Sequence, residues 1–89
     1  MEICCIGDEE TARGFRLAGV YSYTAGTAAE TAKALEQAAG RPDCGVIIIT
    51  KAAADLVRGQ VEELMLERPG PLIAEIAGPP ARGEGRWKP

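Results

Sequence analysis

Along this chain, short apolar runs alternate with longer segments that have one apolar face. The first apolar run, residues 2–6, predicts a strand covered on both faces. Asp8 follows at the N-cap position of a helix, where Glu9 and Glu10 match the positive end of the helix dipole. Gly19 is placed to end that helix in a left-handed conformation. These twenty residues predict a parallel βαβ unit.

The next two elements are an alternating strand and a helix with a clear start. Residues 20–23 alternate in polarity, which indicates a half-exposed edge strand with Tyr21 and Tyr23 on one side. Thr27 and Glu30 have the spacing of a capping box, so a second helix begins there. We expect this helix to bury one alanine-rich stripe. The predicted stripe consists of Ala28, Ala32, Leu35, Ala38 and Ala39.

The second half of the chain repeats the order of strand, helix and strand. Residues 45–50 form a continuous β-branched run, which predicts the central parallel strand. A third helix is expected from about residue 52 to 67, with Thr50 as its cap and Gly59 as the point where it breaks. Residues 72–76 predict a fourth strand. The buried stripe of the third helix is predicted to contain Ala53, Val57, Val61 and Leu64.

Right-handed crossovers between these elements predict one α/β domain over residues 1–78, with strand order 2-1-3-4. Helix one lies on one face of the sheet and helices two and three on the other. Residues 79–89 show no helical stripe and are interpreted as an irregular tail. With no helix after strand four, apolar surface of strands three and four is expected to lie open, as interaction sites do.

Length and charge restrict the class of protein. An 89-residue chain buries a small core, so its size favours a partner or self-association of the isolated chain. The net charge of −3 is spread without a basic stripe, which argues against a nucleic-acid partner. No apolar run approaches the roughly 20 residues of a membrane span. The first 20 residues lack the order of a signal peptide, so a cytoplasmic location is expected.

The residue types that support catalysis are scarce. The chain has no histidine and no asparagine, and its one serine is Ser22, so nucleophile–base pairs have few candidate members. Cys4 and Cys5 lie inside the first strand and, with Cys44, are expected to be reduced, mostly buried thiols. The carboxylates after strand one are interpreted as a helix cap. We predict no catalytic residue, no cofactor and no metal ligand.

Two phosphotransfer domains share the predicted architecture. A response-regulator receiver domain needs a phosphorylatable Asp at the end of strand three, where this chain has Thr50 and Lys51. A phosphotransferase-system IIB domain has its reactive Cys just after strand one, whereas Cys4 and Cys5 precede the turn. Nucleotide binding is disfavoured as well, because the turn after strand one has one glycine and three carboxylates. A signalling module that binds a partner or a phosphoryl group remains the alternative hypothesis.

The opening segment carries a family resemblance. Ile6-Gly7-Asp8-Glu9 followed by Thr11-Ala12-Arg13-Gly14-Phe15-Arg16-Leu17-Ala18-Gly19-Val20 resembles the signature of the F subunit of the V/A-type rotary ATPases. Residues 14–19 are its most specific part. The resemblance also includes the capping box before helix two, the Gly-Val-Ile-Ile-Ile-Thr strand and the Pro-Leu-Ile-Ala-Glu-Ile-Ala-Gly segment.

This resemblance implies a small CheY-like, or flavodoxin-like, domain of four parallel strands and three helices. It implies a non-catalytic central-stalk subunit that binds the coiled-coil D subunit and turns with it beneath the A3B3 head. Such a protein contributes to rotary coupling and to regulating ATP hydrolysis and proton or sodium transport, and is cytoplasmic and peripheral to the membrane. The family also has a C-terminal helix, which this sequence does not show.

The candidate partner surface lies on helix one and the edge strand after it. The predicted buried stripe of helix one consists of Ala12, Phe15 and Ala18. Leu17 lies opposite this stripe and on the same side as Gly14. Its position is either a local irregularity at the helix end or a contact for another protein. Arg13 and Arg16 are either solvated helix residues or part of the same contact. A second off-face leucine is Leu66. The full candidate set is Arg13, Gly14, Arg16, Leu17, Tyr21, Tyr23, Gly26 and Thr27.

Overall fold

A computed structural model describes residues 1–67 and 70–78 of the chain. The four strands form one parallel sheet in the order β2-β1-β3-β4, as the sequence predicts. The predicted irregular tail over residues 79–89, and with it the expected absence of a helix after strand four, lie outside the described residues. The elements are β1 (Glu2–Gly7), α1 (Glu9–Leu17), β2 (Tyr21–Thr24), α2 (Ala28–Ala39), β3 (Cys44–Thr50), α3 (Lys51–Leu56), α4 (Arg58–Leu66) and β4 (Leu72–Ile76).

The predicted third helix is present as two shorter helices, so the described residues form four helices and not three. The break is at Val57, with φ −134° and ψ 39°, and not at Gly59. Gly59 lies in open space, since a β-carbon there would meet nothing within 4 Å. The conformation of Val57 keeps its side chain buried, in line with Ala53 before the break and Val61 after it. The break therefore coincides with the packing of the buried residues of this segment, and not with the flexible glycine.

The helix starts follow the capping residues that the sequence predicts. Asp8 Oδ2 accepts the Thr11 N–H at 3.1 Å, and Thr50 Oγ1 accepts the Ala53 N–H at 3.2 Å. Gly19, with φ 90°, has the expected left-handed conformation after α1. Gly7 has a steric role, because a β-carbon on it would lie 2.8 Å from Thr50 Cγ2. The missing side chain lets the cap of α3 sit against the end of β1.

One face of the sheet is covered by three helices. Parallel register places Cys4, Ile47 and Ile73 side by side on this face, where all three are buried. They belong to the main hydrophobic cluster together with buried residues of α2, α3 and α4, so these three helices cover the face. The helix residues in the cluster are Ala34, Leu35, Ala38, Ala53, Ala54, Val57 and Val61.

The buried stripe of α2 differs from the prediction by a rotation of the helix. Leu35 and Ala38 are buried as expected, but Ala28 is exposed, and Thr31 and Ala34 take its place in the interior. Thr31 can be buried because its hydroxyl donates to the Thr27 carbonyl oxygen at 2.7 Å. A stripe predicted from apolar residues alone therefore misses a polar residue that a local hydrogen bond satisfies.

The opposite face of the sheet is covered only in part. Helix α1 packs against β1 and β2, where Ala12 and Cys5 are fully buried. Beside it, Ile3, Val46 and Leu72 lie in one row across β1, β3 and β4. Ile3 is 39% exposed and Leu72 67% exposed. Within residues 1–67 and 70–78 no helix lies over this part.

Candidate partner-binding surface

The outer side of α1 presents an apolar residue that the core does not use. Leu17 is 84% exposed and lies on the side of α1 away from the sheet. Gly14 lies one turn earlier, and a β-carbon on it would meet no atom within 4 Å. A glycine in the middle of a helix costs about 0.5–1 kcal/mol relative to alanine. The fold does not require a glycine at residue 14 for steric reasons, and the Leu17 side chain does not pack in the core.

The two arginines of this helix have intramolecular partners but remain exposed. Arg13 Nη2 lies 3.1 Å from Glu9 Oε1, and both side chains are largely in solvent. Such an exposed pair contributes about 0.3–0.5 kcal/mol. Arg16 Nη2 donates to the Ser22 carbonyl oxygen at 3.2 Å, which joins the end of α1 to β2. A guanidinium has five N–H donors, so both arginines have donors left for a partner.

The tyrosines of β2 belong to the other layer of the domain. Register pairs Tyr21 with Cys4 and Tyr23 with Ile6, so both rings lie on the sheet face opposite α1. Tyr23 packs against the main cluster. The Arg41 guanidinium lies 3.7 Å from the centroid of the half-exposed Tyr21 ring. Arg41 also forms an ion pair with Glu2 at 3.2 Å, and the sequence pattern predicts neither contact.

Gly26 and Thr27 form the start of α2, at the opposite end of β2 from Tyr21. Thr27 Oγ1 accepts the Glu30 N–H at 3.1 Å. The Glu30 carboxylate accepts the N–H of Gly26 at 2.8 Å, and not that of Thr27 as a standard capping box would have it. Both residues are exposed. The structure thus places Arg13, Gly14, Arg16 and Leu17 on one helix. Tyr21 lines a surface depression together with Arg16, whereas Gly26 and Thr27 lie beyond the other end of β2.

The acidic turn after β1 acts as a helix cap. Asp8 accepts from the Thr11 hydroxyl at 2.7 Å as well as from its N–H. Burial opposes ionisation of Asp8, but these hydrogen bonds outweigh it and hold its pKa below the usual range. Within residues 1–67 and 70–78, no three His, Cys, Asp or Glu side chains are grouped closely enough to hold a metal ion.

The cysteines have the character of buried apolar side chains. Cys4 and Cys5 are fully buried, Cys44 is partly buried, and all three are free thiols. Burial raises the pKa of the Cys4 and Cys5 thiols to about 11, so neither is a thiolate near neutral pH. This confirms the interpretation of these residues as mostly buried side chains.

One polar contact of the covered face is predictable only in part. Glu75 lies near the C-terminal end of the edge strand β4, as the cost of burying a carboxylate predicts. The sequence gives no comparable signal for the residue that pairs with Glu75. Arg58, the first residue of α4, pairs with Glu75 and also with Asp55. The pairing with Arg58 lowers the pKa of Glu75. The helix break that brings Arg58 next to Asp55 cannot be located from periodicity.

Comparisons with known proteins agree with the fold and with the opening segment. A family model described as the ATP synthase (F/14-kDa) subunit matches residues 3–87. The V-type ATP synthase F subunit of Thermus thermophilus is 38% identical over 73 residues, which are 82% of this chain and 70% of that protein. The A-type ATP synthase F subunit of Methanococcus maripaludis is 30% identical, with 84% of this chain and 83% of that protein covered.

The solved structures show the same similarity. The crystal structure of the Archaeoglobus fulgidus V-type ATP synthase F subunit superposes with a TM-score of 0.67 at 26% identity. The alignment covers 85% of this chain and 96% of that one. With a family match over most of its length and relatives at 30% identity or more, this chain belongs to the family of the ATP synthase (F/14-kDa) subunit, that is, the F subunits of V/A-type ATP synthases.

Proposed function

We propose that this chain is a non-catalytic central-stalk subunit of a V/A-type ATP synthase that binds the coiled-coil D subunit. The observation that carries the proposal is the outer side of α1, where Leu17 is 84% exposed inside the family signature. Gly14 and the two arginines surround it with open space and free donors. A large exposed aliphatic residue flanked by arginines suits a helix surface with apolar and acidic positions.

The protein contributes to rotary coupling and to regulating ATP hydrolysis and proton or sodium transport, and it acts beneath the A3B3 head. Its place is cytoplasmic and peripheral to the membrane-embedded part of the complex. None of the described helices is both long and apolar enough to cross a membrane. The ends of the parallel strands, where α/β enzymes place their chemistry, are occupied by helix caps at Asp8 and Thr50.

The alternative of a receiver-like or IIB-like signalling module has no observation in its favour. Thr50 stands where a receiver domain has its phosphoacceptor, and its hydroxyl oxygen caps α3. The thiols of β1 lie in the apolar interior. Incubation with Mg²⁺ and acetyl phosphate is expected to leave the mass of the chain unchanged, and a stable phosphoryl adduct would support the alternative.

The test is binding of the full chain to the D subunit of the same complex. Leu17→Glu should weaken the affinity at least tenfold, because it places a charge at the centre of the apolar contact. Leu66→Glu is the matched control, since Leu66 is 82% exposed and lies at the end of α4. Calorimetric titration of each variant gives the affinity, and circular dichroism verifies that both are folded.

Two results would count against the proposal. If the wild-type chain forms no complex with the D subunit, the rotor role is wrong. If Leu17→Glu and Leu66→Glu bind as tightly as the wild type, the contact lies elsewhere and the outer side of α1 is ordinary solvated surface.

A further inference from the structure

An open groove lies between α2 and α4. It has a volume of about 200 Å³, and its floor is aliphatic. Leu35 is fully buried there, and Ala39 and Leu64 are partly buried. The exposed rim residues are Glu36, Gln60, Glu63 and Glu67. The groove is therefore apolar at its floor and acidic at its rim.

The rim carboxylates form no ion pair within the described domain. On α4, Glu63 and Glu67 are one turn apart and share the face toward α2, where Glu36 lies. Within residues 1–67 and 70–78, none of the ion pairs includes any of these carboxylates. Like charges that face one another across a groove repel, so the rim favours a cationic group. The aliphatic floor favours an apolar side chain beside that cation.

The same chain carries a surface of the complementary kind on α1. Arg13, Arg16 and Leu17 have the spacing of one helix face, and Leu17 is 84% exposed. Gly14 leaves open space one turn before the leucine. Each guanidinium uses Nη2 within the domain, so its other donors can reach a carboxylate. The two arginines and the leucine match the groove in charge and in polarity.

These two surfaces lie on opposite sides of the sheet, because α1 covers one face and α2 and α4 the other. One copy cannot bring them together, whereas two copies can. We propose that copies of this chain associate head to tail, with the outer side of α1 of one copy seated in the α2–α4 groove of the next. Leu17 then lies on the aliphatic floor. Each copy keeps one free surface, so further copies can add.

The contact is small, which makes it weak and dependent on salt. A stable interface buries about 800 Å² on each partner, and a contact centred on one turn of a helix covers much less. The attraction between exposed charges falls with ionic strength, since the Debye length shrinks from about 10 Å at 0.1 M salt to about 3 Å at 1 M. The association is therefore expected at high protein concentration and low salt.

The contact uses the side of α1 to which we assign the D subunit, and only this relation rests on the proposed function. The D subunit and a second copy then compete for Leu17. The D subunit is therefore expected to dissociate assemblies of the free chain. The groove thus covers the exposed leucine of copies that are not bound to the D subunit.

Sedimentation equilibrium of the full, isolated chain tests the association. The average mass is expected to rise with protein concentration at low salt, and about 0.5 M NaCl should reverse the rise. Glu63→Lys and Leu17→Glu should each weaken the association about tenfold or more, because each places a like charge in the contact. Glu62→Lys is the matched control on α4, since Glu62 is exposed and does not line the groove. Circular dichroism verifies that the variants are folded.

A mixture of two defective variants gives the sharper test. Leu17→Glu retains an intact groove, and Glu63→Lys retains an intact α1 surface. Mixed in equal amounts, they should form a dimer of one copy of each and grow no further, whereas the wild type forms larger assemblies. A contact of one surface with itself cannot produce this result.

A wild-type chain that stays monomeric up to its highest soluble concentration would overturn the proposal. Association that Glu62→Lys weakens as much as Glu63→Lys would show a general effect of charge and would also overturn it. A mixture that forms no dimer would exclude the head-to-tail contact.

Binding to the D subunit distinguishes this inference from the proposed function. Glu63→Lys should keep the wild-type affinity for the D subunit, because the groove lies on the other side of the sheet from α1. A chain that self-associates as described but does not bind the D subunit would overturn the proposed function alone. A chain that binds the D subunit but stays monomeric would overturn the head-to-tail contact alone.

Discussion

The two faces of the same sheet differ in how they are covered, although their residues are nearly alike. On β3, Ile47 and Ile49 point to α2, α3 and α4 and are fully buried. Val46 and Ile48, which alternate with them along the same strand, point to the other face and are only partly buried. One isoleucine thus contributes to the core and its neighbour to a partly open surface.

This difference separates the face that stabilises the domain from the face that is available for binding other molecules. The covered face joins three helices and all four strands in one cluster. The other face carries one helix among the described residues, α1, whose outer side presents Gly14 and the exposed Leu17. Stability is therefore expected to reside mainly on the first face, and recognition on the second.

The largest expected effect compares two isoleucines on one strand. Ile47→Ala should lower the free energy of unfolding by about 3 kcal/mol, because a fully buried side chain leaves a cavity. Ile48→Ala should cost about half as much, since Ile48 lies on the partly covered face and loses less burial. Urea denaturation of both variants measures the difference.

If Ile47→Ala does not fold, Ile47→Val and Ile48→Val give the same comparison on a smaller scale, with about 1 kcal/mol expected at residue 47. Equal losses at the two positions would show that the two faces are covered alike and would remove the contrast.

A smaller effect concerns the anchor of α1. Asp8→Ala should cost about 1 kcal/mol through loss of the cap, and Asp8→Asn should cost less, because the amide oxygen still accepts a hydrogen bond. The native pKa of Asp8 lies below its value of 3.8 in a model compound. Its ionisation therefore stabilises the fold above about pH 4, and this contribution is lost as the pH falls through the native pKa.

Unfolding curves at pH 7 and at pH 2–3 test the sign of this effect. The gap between the wild type and Asp8→Asn should be larger at pH 7 than at low pH. A gap that grows on acidification would contradict the role of Asp8 as an ionised cap.

The smallest expected effect distinguishes folding from recognition on α1. Gly14→Ala should raise the free energy of unfolding by about 0.5 kcal/mol, because alanine favours the helix and its methyl group meets no other atom. If the glycine serves a partner contact, the same change weakens binding to the D subunit while stability rises. A destabilised variant would mean that Gly14 is required by the fold.

Much of this architecture can be predicted because its signals are local. The alternation of apolar runs and capping residues predicts the strands, their order and three helix starts, and the structure confirms each of them. Leu17 and Leu66 are expected on the wet side of their helices, where the structure places them. Each of these features depends on residues within one or two turns of one another.

The errors have a common physical cause. The break at Val57, the burial of Thr31 and the pairing of Arg58 with Glu75 depend on contacts between elements distant in sequence. The sequence pattern also does not say that the candidate partner residues fall on both faces of the sheet. Strand register turns Tyr21 and Tyr23 to the face opposite α1, and alternation along β2 does not say which side that is.

The sequence by itself determined the parallel α/β fold, the strand order and the capped helix that carries the family signature. Helix caps, glycine stops and β-branched runs act over a few residues, and right-handed crossovers leave little choice of topology. Only the tertiary structure decided which isoleucines of β3 are covered. Both sides of that strand are equally apolar, and their burial depends on which face α2, α3 and α4 cover and how far α1 covers the other.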